Sequence, residues 1–295
     1  MANSQVLWRS SRVLPGTRAA LRWWKNAHGT ELPARGFVWI LHGLGEHSGR
    51  YAELACFLNQ AGFDVLAPDH IGHGLSRLEG GQRRIGGYDE IVDECRDAQA
   101  WWVHEGPLAR RGLAHAPWYL VGHSMGGLLA LEWIRQGKKE GVELEFALRA
   151  FVAAPPLRLR LPVPAWKKSL AQALSGLLPD LKIANGISPD DLSYDGANIA
   201  AYRDDPLVHG DSSPRNFLTM QATAAAVEDA SQNFEIPLCL AVGEDDPVVD
   251  PAAVRTFFDK LVTHKRFVSF PETKHEIFND TSRRDAYRAL AEWIL

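Results

Sequence analysis

The sequence predicts an α/β fold with a mostly parallel sheet, and three observations lead there. Short, nearly continuous apolar runs rich in Val, Ile, Leu, Phe and Trp recur along the chain. Longer amphipathic segments with 3.6-residue apolar spacing separate them. The length of 295 residues and a 46% hydrophobic content let such a unit bury a large core without staples. A strand covered on both faces loses polar alternation, so the continuous runs point to a parallel sheet between helix layers. Alternating strand and helix then implies right-handed crossovers.

Taken in order, Val6 to Val13 and Ala19 to Asn26, joined by Pro15-Gly16, read as an edge hairpin. Phe37-Val-Trp-Ile-Leu41, Phe63-Asp-Val-Leu-Ala67, Trp118-Tyr-Leu-Val121 and Ala150-Phe-Val-Ala-Ala154 read as strands, followed later by Pro237 to Val242 and Lys265 to Phe270. Tyr88, Ile91, Val92, Cys95, Ala98 and Trp102 would line one helix face. Tyr51 to Gln60, Met125 to Gln136, Pro251 to Leu261 and Arg284 to Ile294 carry the same period, and a further helical pattern begins near Asn216.

One region breaks the rhythm. After Ala154 come Pro155-Pro156, three further prolines and a long irregular stretch, which marks a functional insertion. The predicted division is a core of residues 1–154 and 213–295 with a lid or cap at 155–212. Trp166, Leu170, Leu174 and Leu177 fall at i, i+4, i+8 and i+11, an apolar stripe. From Leu157 to Leu178 the segment holds Arg158, Arg160, Lys167 and Lys168 and no acidic residue. It reads as a helix packed over a pocket with solvated charges outside, or as a lid that touches lipid; the two readings are compatible. Leu157, Trp166, Leu170 and Leu174 are the candidate substrate-facing residues.

A net charge of −4 argues against a nucleic-acid partner, which calls for a basic face. Cys56, Cys95 and Cys239 are far apart and form no CxxC pair, so neither a zinc site nor a disulfide framework is implied. The N-terminal residues lack an apolar signal-peptide region, and the longest charge-free stretch, Gly112 to Leu131, is too polar and glycine-broken to span a bilayer. A soluble cytoplasmic protein is expected. His42/His47 and His70/His73 are the close histidine pairs, but neither has a metal-site arrangement, and no Walker or GxGxxG fingerprint occurs. No metal and no cofactor is expected.

The chemistry-bearing motif is Gly122-His-Ser124-Met-Gly126, placed after a strand and before a helix. Gly-x-Ser-x-Gly in that context puts a serine on a strained turn with its Oγ projecting. The amide of Met125, at the helix start, then points to where an oxyanion forms. A serine needs a base and an orienting carboxylate, each in a loop at the carboxyl end of a later strand. Gly243-Glu-Asp-Asp246 follows one such strand and favours Asp246, with Glu244, Asp245 and Asp250 close by. Pro271-Glu-Thr-Lys-His275 follows the next and supplies His275, whereas His264 lies at the opposite end of the sheet. The loop Leu41-His42-Gly43-Leu44-Gly45 offers the Leu44 amide as a second oxyanion donor, with His42 as a structural hydrogen-bonding residue.

These residues resemble the α/β-hydrolase superfamily, in particular its monoacylglycerol lipase and lysophospholipase branch. His42-Gly-Leu-Gly-Glu-His-Ser-Gly-Arg-Tyr51 is similar to that branch's signature loop; Asp69 to Ser76, Gly122 to Gly127 and Asp205-Pro-Leu207 match as well. The resemblance implies an eight-stranded, mostly parallel sheet with helices on both faces and an inserted cap over an acyl tunnel. It implies Ser124, Asp246 and His275 as the triad, and the Leu44 and Met125 amides as the oxyanion hole. The substrate would be a small lipid ester, most simply a monoacylglycerol; peripheral membrane contact through the lid is a reading that the Leu157 to Leu178 composition leaves open. Acyl length, head group and oligomeric state stay open. A lysophospholipase, a general carboxylesterase, an aminopeptidase or a non-catalytic binding protein on the same scaffold are the competing readings. Epoxide hydrolases and haloalkane dehalogenases are disfavoured because their elbow carries aspartate where this one carries Ser124.

Overall fold

The computed structural model describes residues 4–26, 35–81, 83–107, 117–139, 147–160, 172–173 and 176–295. The expected N-terminal hairpin pairs β1 (Ser4–Ser10) with β2 (Thr17–Trp24). Along the chain follow β3 (Phe37–Leu41), α1 (Ala52–Gln60), β4 (Asp64–Pro68), the short β5 (Arg77–Leu78), α2 (Tyr88–His104), β6 (Trp118–His123), α3 (Met125–Lys139) and β7 (Ala147–Ala153). Then come β8 (Ile183–Ala184), α4 (Gly196–Asp204), β9 (Asp211–Ser212), α5 (Pro214–Asp229), β10 (Leu238–Gly243), α6 (Pro251–Lys260), β11 (Lys265–Phe270) and α7 (Arg283–Ile294).

The central sheet runs β1-β2-β4-β3-β6-β7-β10-β11, with β5 joined to β2. From β4 to β11 every pairing is parallel, and the hairpin adds two antiparallel strands at one edge. All five residues of β3 are buried. Phe37, Trp39 and Leu41 face a layer that includes Trp102, Leu128 and Phe257, whereas Val38 and Ile40 face Leu54, Leu58 and Leu290 on the other side. Alternate side chains thus enter two separate cores, which is why the run shows no polar alternation. Phe37 stacks on Trp118 at 4.9 Å and Trp102 meets Trp23 edge-on at 5.1 Å. The edge hairpin is held to α2 by the buried Arg9, which pairs with both Glu94 and Asp97.

Strand order places the site. β3 has β4 on one side and β6 on the other, so the order reverses between β3 and β6. In a doubly wound sheet the loops leaving such neighbours part to opposite faces and open a crevice at the carboxyl ends. Leu41 pairs with Gly122 across this junction, so the loop after β3 and the turn after β6 emerge side by side. Gly243 pairs with Phe270, which sends the loops after β10 and β11 out at the same end.

Between β7 and α5 the chain leaves the sheet. Leu159 bridges Val249, and β8 pairs with β9 in a separate two-stranded sheet. The region also contains α4, which no apolar periodicity announced. None of its residues is buried, and it is started by Asp195, whose carboxylate accepts from the Ala197 and Asn198 amides. A helix set by its cap and left half in water carries no apolar stripe to read. Trp166, Leu170 and Leu174, with Lys167 and Lys168, lie outside the described residues. Leu177, the last position of the apolar stripe, is 81% exposed.

Candidate active site

Ser124 stands between β6 and α3 with φ of 51°, a left-handed conformation that a side chain bears only under constraint. Two glycines make the turn possible by close approach. A Cβ on Gly126 would run into the Leu41 carbonyl, and one on Gly122 into the Gly126 carbonyl. Gly126→Ala is therefore expected to destabilise the fold by about 1–3 kcal/mol and to lose activity out of proportion to its Tm. Thermal melts beside ester-hydrolysis rates check this, and an alanine variant with normal turnover would contradict it.

The three side chains named from chain order meet. His275 Nε2 lies 2.8 Å from Ser124 Oγ, and His275 Nδ1 lies 2.8 Å from Asp246 Oδ2. The second oxygen of Asp246 accepts from the Val248 and Val249 amides at 2.8 and 2.9 Å. Burial pushes the Asp246 carboxyl up, but the facing His275 and the two amides outweigh it and hold it below its ordinary value. Ionised Asp246 fixes the proton of His275 on Nδ1 and leaves Nε2 with a lone pair toward the serine. Of the neighbouring acids, Glu244 accepts from Ser269, Asp245 from Tyr194 and Asp250 caps α6. His264 stacks on Trp293, at the other end of the sheet.

The two candidate oxyanion donors flank the serine. Met125 is the first residue of α3, so its N–H has no intrahelical acceptor. Leu44 lies in the loop after β3, and no protein acceptor among the described residues takes either amide. His42 is fully buried, donates from Nδ1 to the Gly43 carbonyl at 2.8 Å, and accepts the His70 amide at Nε2. Burial first, and the neighbouring His73 second, bring its pKa down to about 3. Neutral, with its one lone pair engaged, His42 shapes the loop and has no capacity to act as a base. His42, His70, His73 and His209 pack ring against ring, yet among the described residues no group of three or more His, Cys, Asp or Glu is arranged to hold a metal ion.

Ser124, Leu44 and Met125 open on a cavity of about 330 Å³. Its other walls include Leu159, Ile187, Phe217, Met220, Val248 and Val249, with Asn185, Ser212 and Asn216 as polar points and, among the described residues, no charged side chain. Leu157 packs in the core at 9% exposure, and Leu159 two residues on lines the cavity instead. Arg160 turns back to donate to the Asp246 carbonyl at 2.8 Å, while Arg158 lies exposed beside Asp250.

A buried charge cluster behind the serine escaped the sequence reading. It joins Glu46, Arg50, His123 and Glu276. The signals were local: Glu46 and Arg50 stand four apart in the loop after β3, His123 precedes the serine and Glu276 follows His275.

Residues 33–282 match the model of the family described as serine aminopeptidase, S33. The chain belongs to this α/β-hydrolase family. Human monoglyceride lipase is 31% identical over 78% of the chain and 70% of its own length. Phospholipase YtpA of Bacillus subtilis is 28% identical over 85% of the chain and 91% of its own. An uncharacterized abhydrolase domain-containing protein of Dictyostelium discoideum is 29% identical over 87% of the chain, which spans only 26% of that relative. Among solved structures, the monoacylglycerol lipase of Paleococcus ferrophilus superposes with a TM-score of 0.78 at 28% identity, covering 93% of this chain and 97% of that one.

Proposed function

We propose that the protein is a serine hydrolase of carboxylic esters whose substrate is a monoacylglycerol, cleaved to fatty acid and glycerol. The observation that carries this reading is Ser124, hydrogen-bonded to His275 and facing a cavity whose described walls are uncharged and largely apolar. An acyl chain fits such walls, since each buried methylene contributes about 0.8 kcal/mol. The relatives named as monoglyceride or monoacylglycerol lipases support the same choice of substrate.

In this mechanism His275 takes the Ser124 proton as Oγ attacks the ester carbonyl, and the Leu44 and Met125 amides receive the oxyanion. Glycerol leaves with the proton from His275, and water then releases the fatty acid by the same steps. Asp246 keeps the imidazole in the competent tautomer throughout.

An aminopeptidase would need a carboxylate to receive the substrate's ammonium. Among the described residues that line the cavity none is acidic, which favours an ester with a neutral acyl group. The insertion acts as a cover in this reading. Ile183 to Ile187 and Ser212 supply one side of the cavity, and the exposed Leu177, Leu178 and Leu181 offer apolar surface to a lipid interface. Among the described residues no helix is long and apolar enough to cross a membrane.

The test is a series of monoacylglycerols of increasing chain length, run with and without lipid vesicles beside lysophospholipids and amino-acid anilides. We expect kcat/KM to climb about fourfold per methylene until the cavity is filled, with monoacylglycerols ahead of the other classes. A flat series, or anilides as the best substrates, would overturn the assignment.

A further inference from the structure

The cluster behind Ser124 is built around an imidazole whose hydrogen-bond partners, among the described residues, are acceptors alone. His123 Nδ1 faces Glu46 Oε1 at 3.3 Å, and His123 Nε2 faces the backbone carbonyl of His275 at 3.1 Å. Both side chains of the first pair are about 95% buried or more. A neutral imidazole carries one N–H and one lone pair, so it could satisfy one of these oxygens and would press its lone pair on the other. Only the doubly protonated ring donates to both.

The surrounding charges agree. Glu46 and Glu276 contribute two carboxylates, and Arg50 binds both, with 3.0 Å to Glu46 Oε2 and 2.8 Å to Glu276 Oε2. Arg50 alone leaves one buried negative charge without a counterion, and a cationic His123 balances it. Burial opposes the charge on His123, but the Glu46 hydrogen bond, the nearby carboxylates and the His275 carbonyl outweigh it and hold the pKa above its ordinary value.

We propose that His123 is a positioning residue, a permanent buried imidazolium that ties the oxyanion loop to the loop carrying the catalytic base. This rests on the serine-hydrolase reading above. On one side, the oxygen of Glu46 that faces His123 also accepts the Gly43 amide at 2.6 Å and the Tyr51 hydroxyl at 2.8 Å. That fixes the His42–Gly43 peptide, one peptide before the Leu44 amide. On the other side, the Nε2 proton holds the carbonyl of His275 itself, a residue whose ring must stay 2.8 Å from Ser124 Oγ. One cation therefore sets the spacing between the oxyanion donors and the base. Asn198 and Tyr202 of α4 extend the tie outward, the first by bonds to Arg50 and Glu276, the second by its ring against the guanidinium. His123 touches neither substrate nor the reacting atoms in this account. It acts through His275 and Glu46.

The experiment has a spectroscopic and a kinetic arm. With 15N-labelled histidine, both ring nitrogens of His123 are expected to carry protons at pH 7.5, in the resting protein and after Ser124 has reacted with a fluorophosphonate. An unprotonated nitrogen in the resting protein at that pH overturns the proposal, whatever any variant does. In the kinetic arm, His123→Asn keeps a donor for one partner only. Because misplacing a reacting group by about 1 Å costs roughly a hundredfold, kcat is expected to fall about 10- to 100-fold with KM within about twofold. A folded His123→Asn protein, judged by its melting curve, whose kcat stays within twofold of the parent also overturns it. Should the variant not fold, the labelled parent protein still decides. Failure of the parent to react with the fluorophosphonate would instead sink the serine-hydrolase reading, while the protonation state of His123 is read independently.

Discussion

Replacing Ser124 with alanine is expected to lower kcat/KM for ester hydrolysis about 10⁴- to 10⁶-fold with the melting temperature nearly unchanged. The size follows from what is removed. Without Oγ there is no covalent intermediate, and His275 has only water to activate. The Leu44 and Met125 amides, the proposed oxyanion donors, remain, so a residual rate above the uncatalysed reaction is expected to persist. Stability should hold because the positive φ at position 124 is imposed by the Gly122 and Gly126 contacts and is no easier for serine than for alanine. Single-turnover assays and fluorophosphonate labelling check the result. A variant that still hydrolyses esters at more than about a hundredth of the parent rate would remove Ser124 from its proposed role.

Asp246→Asn is expected to cost about 10⁴-fold in kcat with little change in KM. Asparagine keeps the shape and can still accept the Val248 and Val249 amides through its oxygen. Its NH2 then faces His275 Nδ1, where the carboxylate oxygen stood at 2.8 Å. A donor there forces the imidazole proton onto Nε2, and that nitrogen can no longer take a proton from Ser124. The loss is one of tautomer, not of position, so the variant should fold and bind substrate normally. If kcat of a folded Asp246→Asn protein lies within tenfold of the parent, another carboxylate orients His275. Asp245 and Glu244 would be the ones to test next, although each is occupied by Tyr194 or Ser269.

Much of the scaffold is legible before any coordinates. A strand buried on both faces, such as Phe37 to Leu41, must be apolar throughout, and a helix on a sheet must repeat its apolar residues every 3.6 positions. Those constraints are local, so the alternation of strands and helices stands out. The site is legible where the backbone makes a demand that few residues meet. The serine turn needs small residues at 122 and 126, and the loops after β10 and β11 each bring a side chain to the same sheet end. The insertion is harder, because α4 rests on the Asp195 cap and presents no buried stripe.

The linear order of residues was enough to name the strands and helices of the sheet core and to single out the serine and its candidate partners, because each rests on a pattern a few positions long. Folding alone decided that Leu159 and not Leu157 faces the cavity, and it set Asp246, which the turn spacing already favours over Glu244, Asp245 and Asp250, against His275. It also placed His123 between a carboxylate and a carbonyl drawn from loops 77 and 152 residues distant in sequence. Contacts of that kind arise from the crossover topology of the sheet. No local pattern records them, and the charge a buried group carries is set by whichever partners the fold delivers.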